Sequence, residues 1–298
     1  MKLGLIGYGE VGKTMAGGLI GQPGLKTSSA WDIRFLQPDV QAQELAHTAA
    51  AGVLAQPSMQ ALCEHSNLIM AAVTASNALS VAEQAAPFIR SGTYYLDLNS
   101  ASPETKQQCA ALIDAAGGRY VEAGVMTSVP PYGIRVPMLL GGVHAAALSQ
   151  ILCGWGMDAK PVSEKLGVAS AIKMSRSVMI KGLEALVIES YTTARAYGVE
   201  DQVLPTLQET FPGMDWAAQG AYFFSRVVQH GKRRAEEMRE AARTVEDAGF
   251  QPWMASATAD KQQWVADLAA AGVFRDLPRD APWQAYADRL LAHRDRNI

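Results

Sequence analysis

The segment that most constrains this chain is "KLGLIGYGEVGKTMAGGL" (2–19). A short apolar run ends at Gly7, and Gly7, Gly9 and Gly12 then stand in GxGxxG spacing ahead of helix-compatible residues. Each glycine has a separate physical task in such a turn. The first permits the tight turn, the second lets the backbone approach a pyrophosphate, and the third allows helix and strand to pack closely. The unpaired N–H groups of the helix that follows would face the phosphates. The spacing alone occurs in ordinary turns, but in the first strand-to-helix turn of an alternating pattern it reads as a dinucleotide site. Tyr8, Glu10 and Val11 complete the loop. Glu10 would repel a phosphate unless its carboxylate points into solvent.

The pattern does alternate. Strands are expected at "KLGLI" (2–6), "SAWDI" (29–33), "NLIMAAV" (67–73), "TYYLDL" (93–98), "RYVEAGV" (119–125) and "PMLLGG" (137–142), with helices near 11–20, 39–51, 77–88 and 103–116. Such alternation specifies an α/β fold with a doubly wound parallel sheet. After about residue 163 the strand pattern stops. Lys165 to Tyr197 contains no proline and reads as one helix of roughly thirty residues. Helix-compatible sequence continues to the end, so a dinucleotide-binding domain over 1–162 and an all-α domain over 163–298, joined by the long helix, are expected.

Length and charge agree. At 298 residues the chain exceeds one small core. A net charge of −3 gives no general attraction to nucleic acid or an anionic membrane, and no long basic run suggests a local one. The apolar run at the start is too short for a signal peptide or a membrane span. Cys63, Cys109 and Cys153 form no CxxC pair and read as free thiols, so a cytoplasmic location is expected. None of His47, His65, His144, His230 and His293 has a metal-ligand partner at i+3 or i+4, and no metal site is assigned.

Asp32 falls about twenty residues after Gly12, where an acid accepts from a ribose 2′-hydroxyl. That favours NAD, although a solvated acid at a strand end would look the same. Arg34 would instead suit the 2′-phosphate of NADP.

Taken together, these features resemble the β-hydroxyacid dehydrogenase family related to 6-phosphogluconate dehydrogenase, over nearly the whole chain. The family's GxGxMGxxMAxxL opening appears as "GYGEVGKTMAGGL", and "DLNS" (97–100) stands for its D-x-S-T segment. Its GxxxxxK segment appears as "GVASAIK", ending at Lys173. "KMSRSVMIKGLEAL" and "HGKRRAEEMRE" resemble a less characterised branch with a distinctive all-α C-terminal domain. The resemblance implies a Rossmann domain that binds NAD or NADP, with Val73, Thr74 and Asn99 beside the cofactor and Ser100 near the substrate. It also implies hydride transfer to or from a hydroxyl or carbonyl carbon of a small-molecule substrate, with Lys173 as general acid/base, and a homodimer or larger assembly. The family's substrate segment, Asp-Ala-Pro-Val-Ser-Gly-Gly, is altered here to "EAGVMTSVPP" (122–131), leaving Met126, Thr127 and Ser128 at the substrate position. Its asparagine one turn after the lysine becomes Ser177, preceded by Arg176, and its C-terminal Lys-Asp pair aligns with Glu236-Glu237.

"SAIKMSRSVMIKG" (170–182) places three cations in an otherwise apolar helix. Lys173, Ser177, Ile180 and Glu184 project in nearly one direction, with Lys181 about 80° to one side and Arg176 about 60° to the other. Alcohol oxidation requires a group to take the hydroxyl proton, and a lysine serves when burial or nearby cations lower its pKa. Arg176 and Lys181 would supply that effect or hold an anionic substrate; surface charges with their stems along the helix are the alternative. The basic cluster after His230 reads either as a ligand anchor or as a solvated, ion-paired face. Trp216, Tyr222, Phe223 and Phe224 read either as core or as the lining of a bulky, aryl-binding pocket. An imine or carbonyl reductase on the same scaffold and a non-catalytic dinucleotide sensor are the competing functions. Lys173 argues against an imine reductase, since imine-reducing relatives generally lack that lysine, and retention of a candidate acid/base argues against the sensor.

Overall fold

The computed structural model of the protein describes residues 1–295. They divide into two compact units, Met1–Met174 and a second that begins at Ser175. The division falls inside the long helix, whereas the sequence places it at 162/163.

The first unit is an eight-stranded sheet. Its strands are β1 (Lys2–Ile6), β2 (Thr27–Trp31), β3 (Leu54–Ala55), β4 (Leu68–Ala71), β5 (Tyr94–Asp97), β6 (Arg119–Val125), β7 (Met138–Gly141) and β8 (Ala159–Ser163), in the order β3-β2-β1-β4-β5-β6-β7-β8. Alternate residues of one strand feed opposite cores. Leu68, Met70, Leu96 and Val121 join one cluster, while Ile69, Ala71, Tyr95 and Tyr120 join the other. A sheet covered on both faces explains why these strands read as continuous apolar runs. The covering helices are α1 (Glu10–Leu19), α2 (Gln41–Ala50), α3 (Met59–His65), α4 (Ala78–Ala85), α5 (Pro103–Ala115) and α6 (Ala145–Gly154).

The expected doubly wound α/β sheet is present, with differences that have local causes. The sheet is mostly rather than wholly parallel, because β7 runs antiparallel to β6. β2 ends at Trp31, two residues early, because the Asp32 carboxylate accepts from Arg34 N–H and starts a 3-10 turn over Ile33–Leu36. Two short strands lie outside the predicted set. β3 is two residues long with both exposed, and β8 carries Lys160 and Pro161 on the outer edge, so neither shows apolar alternation. Helices α3 and α6 also lie outside it.

The expected long helix is α7 (Val168–Tyr197), 30 residues. In the second unit its later turns are followed by α8 (Glu200–Thr210), α9 (Trp216–Asp247), α10 (Trp253–Ala270) and α11 (Trp283–Asp295). The core contains Ile188, Tyr191, Trp216, Phe223, Phe224, Val227, Val265, Trp283 and Tyr286. Three of the four aromatics in question are therefore core, and Tyr222 is exposed. Helices α9 and α10 approach closely at Gly231, where a Cβ would lie 2.8 Å from the Gln262 carbonyl oxygen. Among the described residues no helix is long and apolar enough to cross a membrane.

Candidate active site

In the first unit the order of strands reverses between β1 and β4, and ligands of open α/β sheets bind beyond the strand C-termini at such a point. The glycine loop leaves β1 there. Gly7 has φ +91, and a Cβ on it would fall 2.3 Å from the Ala72 carbonyl at the end of β4. A Cβ on Gly12 would fall 2.1 Å from the Gly7 carbonyl, so this glycine lets α1 close onto the turn. Gly9 is different: a Cβ there would meet no protein atom within 4 Å. Its backbone is also extended, at φ −78 and ψ −159. Nothing inside the protein requires a glycine at this position, whereas a pyrophosphate lying against the backbone would. The N-cap of α1 is Gly9, which has no side chain to cap the helix, and Glu10 is exposed. The loop fits a dinucleotide phosphate.

The end of β2 supports the loop. Asp32, 9% exposed, accepts the Tyr8 N–H at 2.6 Å and the Arg34 N–H at 2.9 Å. Arg34 in turn donates from Nη2 to the Tyr8 carbonyl at 2.6 Å and pairs through Nη1 with Glu44 at 2.8 Å. Val11 is half-buried beside this loop.

The ends of β4 and β5 are tied together. Asn99, 3% exposed, accepts the Val73 N–H on its Oδ1 at 2.7 Å, and the exposed Thr74 follows. The Asn99 N–H is held by Asp97 Oδ1 at 2.9 Å. Beneath it, Asp97 pairs with Lys106 of α5 at 3.0 Å and accepts the Tyr120 hydroxyl at 2.7 Å. Burial, together with the Asp97 charge, pushes the Tyr120 phenol well above its usual pKa, so its hydroxyl remains a donor.

Lys173 comes to the same strand ends. Its Nζ donates to Ser100 Oγ at 2.5 Å, just past β5. The base of α7 is fixed by Glu122 of β6, which is fully buried. Glu122 Oε1 accepts the N–H groups of Gly167 at 2.7 Å and Ala169 at 3.2 Å. Its Oε2 accepts the Ser170 N–H at 3.4 Å and the Ser170 hydroxyl. A carboxylate on these N–H groups satisfies the free donors of the helix and complements its dipole. Gly124, two residues along β6, permits the close fit, since a Cβ there would lie 2.8 Å from the Ala169 carbonyl. Met126 and Ser128 are half-buried and Thr127 exposed in the loop between β6 and β7, which Val129 and Val136 anchor in the core.

The remaining sequence-chosen residues belong to the second unit. Arg176 is exposed. Lys181, 6% exposed, donates to Ser177 Oγ at 3.1 Å and pairs with Glu237 of α9 at 2.7 Å. Glu184, 1% exposed, is paired with Arg234 and accepts from Gln262 Nε2 at 3.2 Å. The basic cluster after His230 thus contributes Arg234 to the interior of the helical unit.

Sequence reasoning missed Glu44, Lys106, Tyr120 and Glu122. Two carried a signal. Glu122 is an acid inside an apolar strand, and Lys106 shares the α5 face of Cys109, Ala110 and Ile113, a place where an unpaired lysine would not be tolerated. Glu44 carried none.

Residues 2–131 match the NAD binding domain of 6-phosphogluconate dehydrogenase, and residues 194–265 match a domain of unknown function, DUF1932. A conserved hypothetical protein from Sinorhizobium meliloti 1021 is 36% identical, with a TM-score of 0.76, over 97% of this chain and 95% of its own. An uncharacterized 28.5 kDa protein of Methanothermus fervidus is 28% identical over 87% of this chain and 96% of its own. A 3-hydroxyisobutyrate dehydrogenase from Mycobacterium tuberculosis shares the fold, with a TM-score of 0.66 at 16% identity over 97% of this chain and 98% of its own.

Proposed function

Since the chain belongs to the family that couples a 6-phosphogluconate dehydrogenase-type NAD-binding domain to a DUF1932 domain, we propose that it is an NAD(P)-dependent dehydrogenase acting on a hydroxyl or carbonyl carbon. The observation that carries this reading is the hydrogen bond of Lys173 to Ser100 at the strand ends that also hold the glycine loop. When bound, the nicotinamide supplies the hydride acceptor or donor. The chain supplies the rest. Gly7, Gly9 and Gly12 receive the pyrophosphate at the N-terminus of α1. Asp32 accepts from the adenosine ribose, which favours NAD over NADP. Val73, Thr74 and Asn99 form the wall at the ends of β4 and β5. Lys173 takes the proton of the substrate hydroxyl during oxidation and returns it to the carbonyl oxygen during reduction. Ser100 accepts from the ammonium and donates to the neutral amine, so one hydroxyl positions Nζ in both protonation states.

The substrate is a β-hydroxyacid-like or bulkier molecule, bound in part by the Met126–Ser128 loop. Arg176, Ser177 and Lys181 lie in the second unit, where Lys181 already holds Glu237. Met179, Leu186 and Tyr197 leave an exposed apolar row on α7, which we propose pairs with a second copy; a monomer mass by light scattering at micromolar concentration would exclude it. The decisive assay follows nicotinamide absorbance with purified protein across aliphatic and aryl β-hydroxy acids, alcohols and the matching carbonyl compounds. Turnover that depends on Lys173 is expected. Dinucleotide binding without turnover of any member would favour the sensor instead.

A further inference from the structure

Glu44 lies on α2, 6% exposed, at the adenosine end of the proposed cofactor site. Its two oxygens hold two cations: Oε1 is 2.8 Å from Arg34 Nη1, and Oε2 is 2.8 Å from Lys13 Nζ of α1. The other nitrogens of Arg34 are also engaged. Nε lies 3.3 Å from Asp32 Oδ1, and Nη2 donates to the Tyr8 carbonyl at 2.6 Å. Each of the three guanidinium nitrogens therefore has a protein acceptor, and the guanidinium is turned back onto the glycine loop.

Charge balance in this cluster has a chemical consequence. Asp32 and Glu44 offset Arg34 and Lys13, so the group of four is neutral as a whole. NAD brings a 2′-hydroxyl to this end, which needs only an acceptor such as Asp32. NADP brings a phosphomonoester with a charge of about −1.5 to −2, which needs a free cation in a fork geometry. Arg34 is the sequence-local residue suited to that role, and three of its five N–H groups, one on each nitrogen, are already committed to the protein.

We propose that Glu44 is a specificity-determining residue: by holding Arg34, and being held itself by Lys13, it withholds the guanidinium from a 2′-phosphate and selects NAD. The inference rests on the dinucleotide-binding reading above and deepens it. It differs from the ordinary assignment to Asp32 alone, because the discriminating carboxylate comes from α2 rather than from the end of β2. A plain staple between α1 and α2 would use the same ion pairs without any effect on the nucleotide.

Binding rather than turnover separates these possibilities. NAD and NADP are titrated at one fixed salt concentration, by calorimetry or nicotinamide fluorescence, against wild type, E44Q, R34Q and the double variant E44Q/R34Q. Thermal unfolding of each variant is recorded alongside. E44Q keeps a carbonyl oxygen for its neighbours but removes the charge. Its NADP affinity should rise by about tenfold or more relative to NAD, the scale of one charge-assisted hydrogen bond. The gain should vanish in E44Q/R34Q. R34Q alone should leave the NAD/NADP ratio within about threefold of wild type, because a committed guanidinium contributes little to a 2′-phosphate. This measurement stands even where E44Q does not fold. An unchanged ratio in E44Q, a gain that survives loss of Arg34, or a large loss of NADP affinity in R34Q alone would each overturn the proposal. Wild type that binds neither dinucleotide would overturn the cofactor reading, and this inference with it.

Discussion

Lys106 Nζ lies 3.0 Å from Asp97 Oδ1, with both side chains 1% exposed, and it also donates to the Asp97 carbonyl at 2.9 Å. A buried charge without its partner is costly. Lys106→Met should destabilise the first unit by about 3–5 kcal/mol, and removing both charges should cost less than removing the lysine alone. Denaturant unfolding of K106M, D97N and the double variant measures this. Additive losses would show that the two groups do not act as a pair.

Glycine loop variants should separate folding from binding. Gly9→Ala places a methyl in open space on permissive backbone, so the melting temperature should hold while dinucleotide affinity falls at least tenfold. Gly12→Ala drives a methyl into the Gly7 carbonyl and should lower the melting temperature itself. Calorimetry of both variants, with and without NAD, distinguishes the effects.

Lys173→Met should lower kcat by about a hundredfold or more while leaving NAD affinity nearly unchanged. Lys173→Arg keeps the positive charge but cannot give up a proton near neutrality. Equal losses in the two variants identify a proton carrier. An active Lys173→Arg would reduce the role to electrostatic anchoring.

Glu122→Gln turns an amide N–H₂ towards backbone donors already crowded at the base of α7. The loss should be about 1–3 kcal/mol in stability. Because Lys173 sits one turn beyond Ala169, kcat should fall as well. Intact turnover would separate the cap from the site.

Burial pushes the thiols of Cys63 and Cys109 up to about 12. Cys153 is exposed. At pH 8 a maleimide should therefore label the native protein once, at Cys153, and the unfolded protein three times. Intact and peptide mass spectrometry reads the count and the position.

How much was legible depended on whether a residue's role was local. The glycine spacing, the β6 segment Arg119–Val125 and the uninterrupted helix to Tyr197 could be read because turn chemistry and periodicity are written into neighbouring residues. Distance from the glycines singles out Asp32 as a candidate, and the resemblance singles out Lys173. Glu44 acts across α1, α2 and the end of β2, and no local pattern marks an acid that meets two cations from separate elements. The same is true of Lys181, whose partner Glu237 is 56 residues away by numbering. β8 was missed because edge position, rather than side-chain alternation, defines it.

That edge bears on how such a sheet survives at high concentration. An open sheet presents unpaired backbone groups at both margins, and these are templates for adding strands from other molecules. β8 has no N–H to offer at Pro161 and places the Lys160 ammonium beside it, while β3 at the opposite margin is only two residues long. Neither margin gives an incoming chain a continuous ladder to extend, so the sheet resists edge-to-edge growth into fibrils.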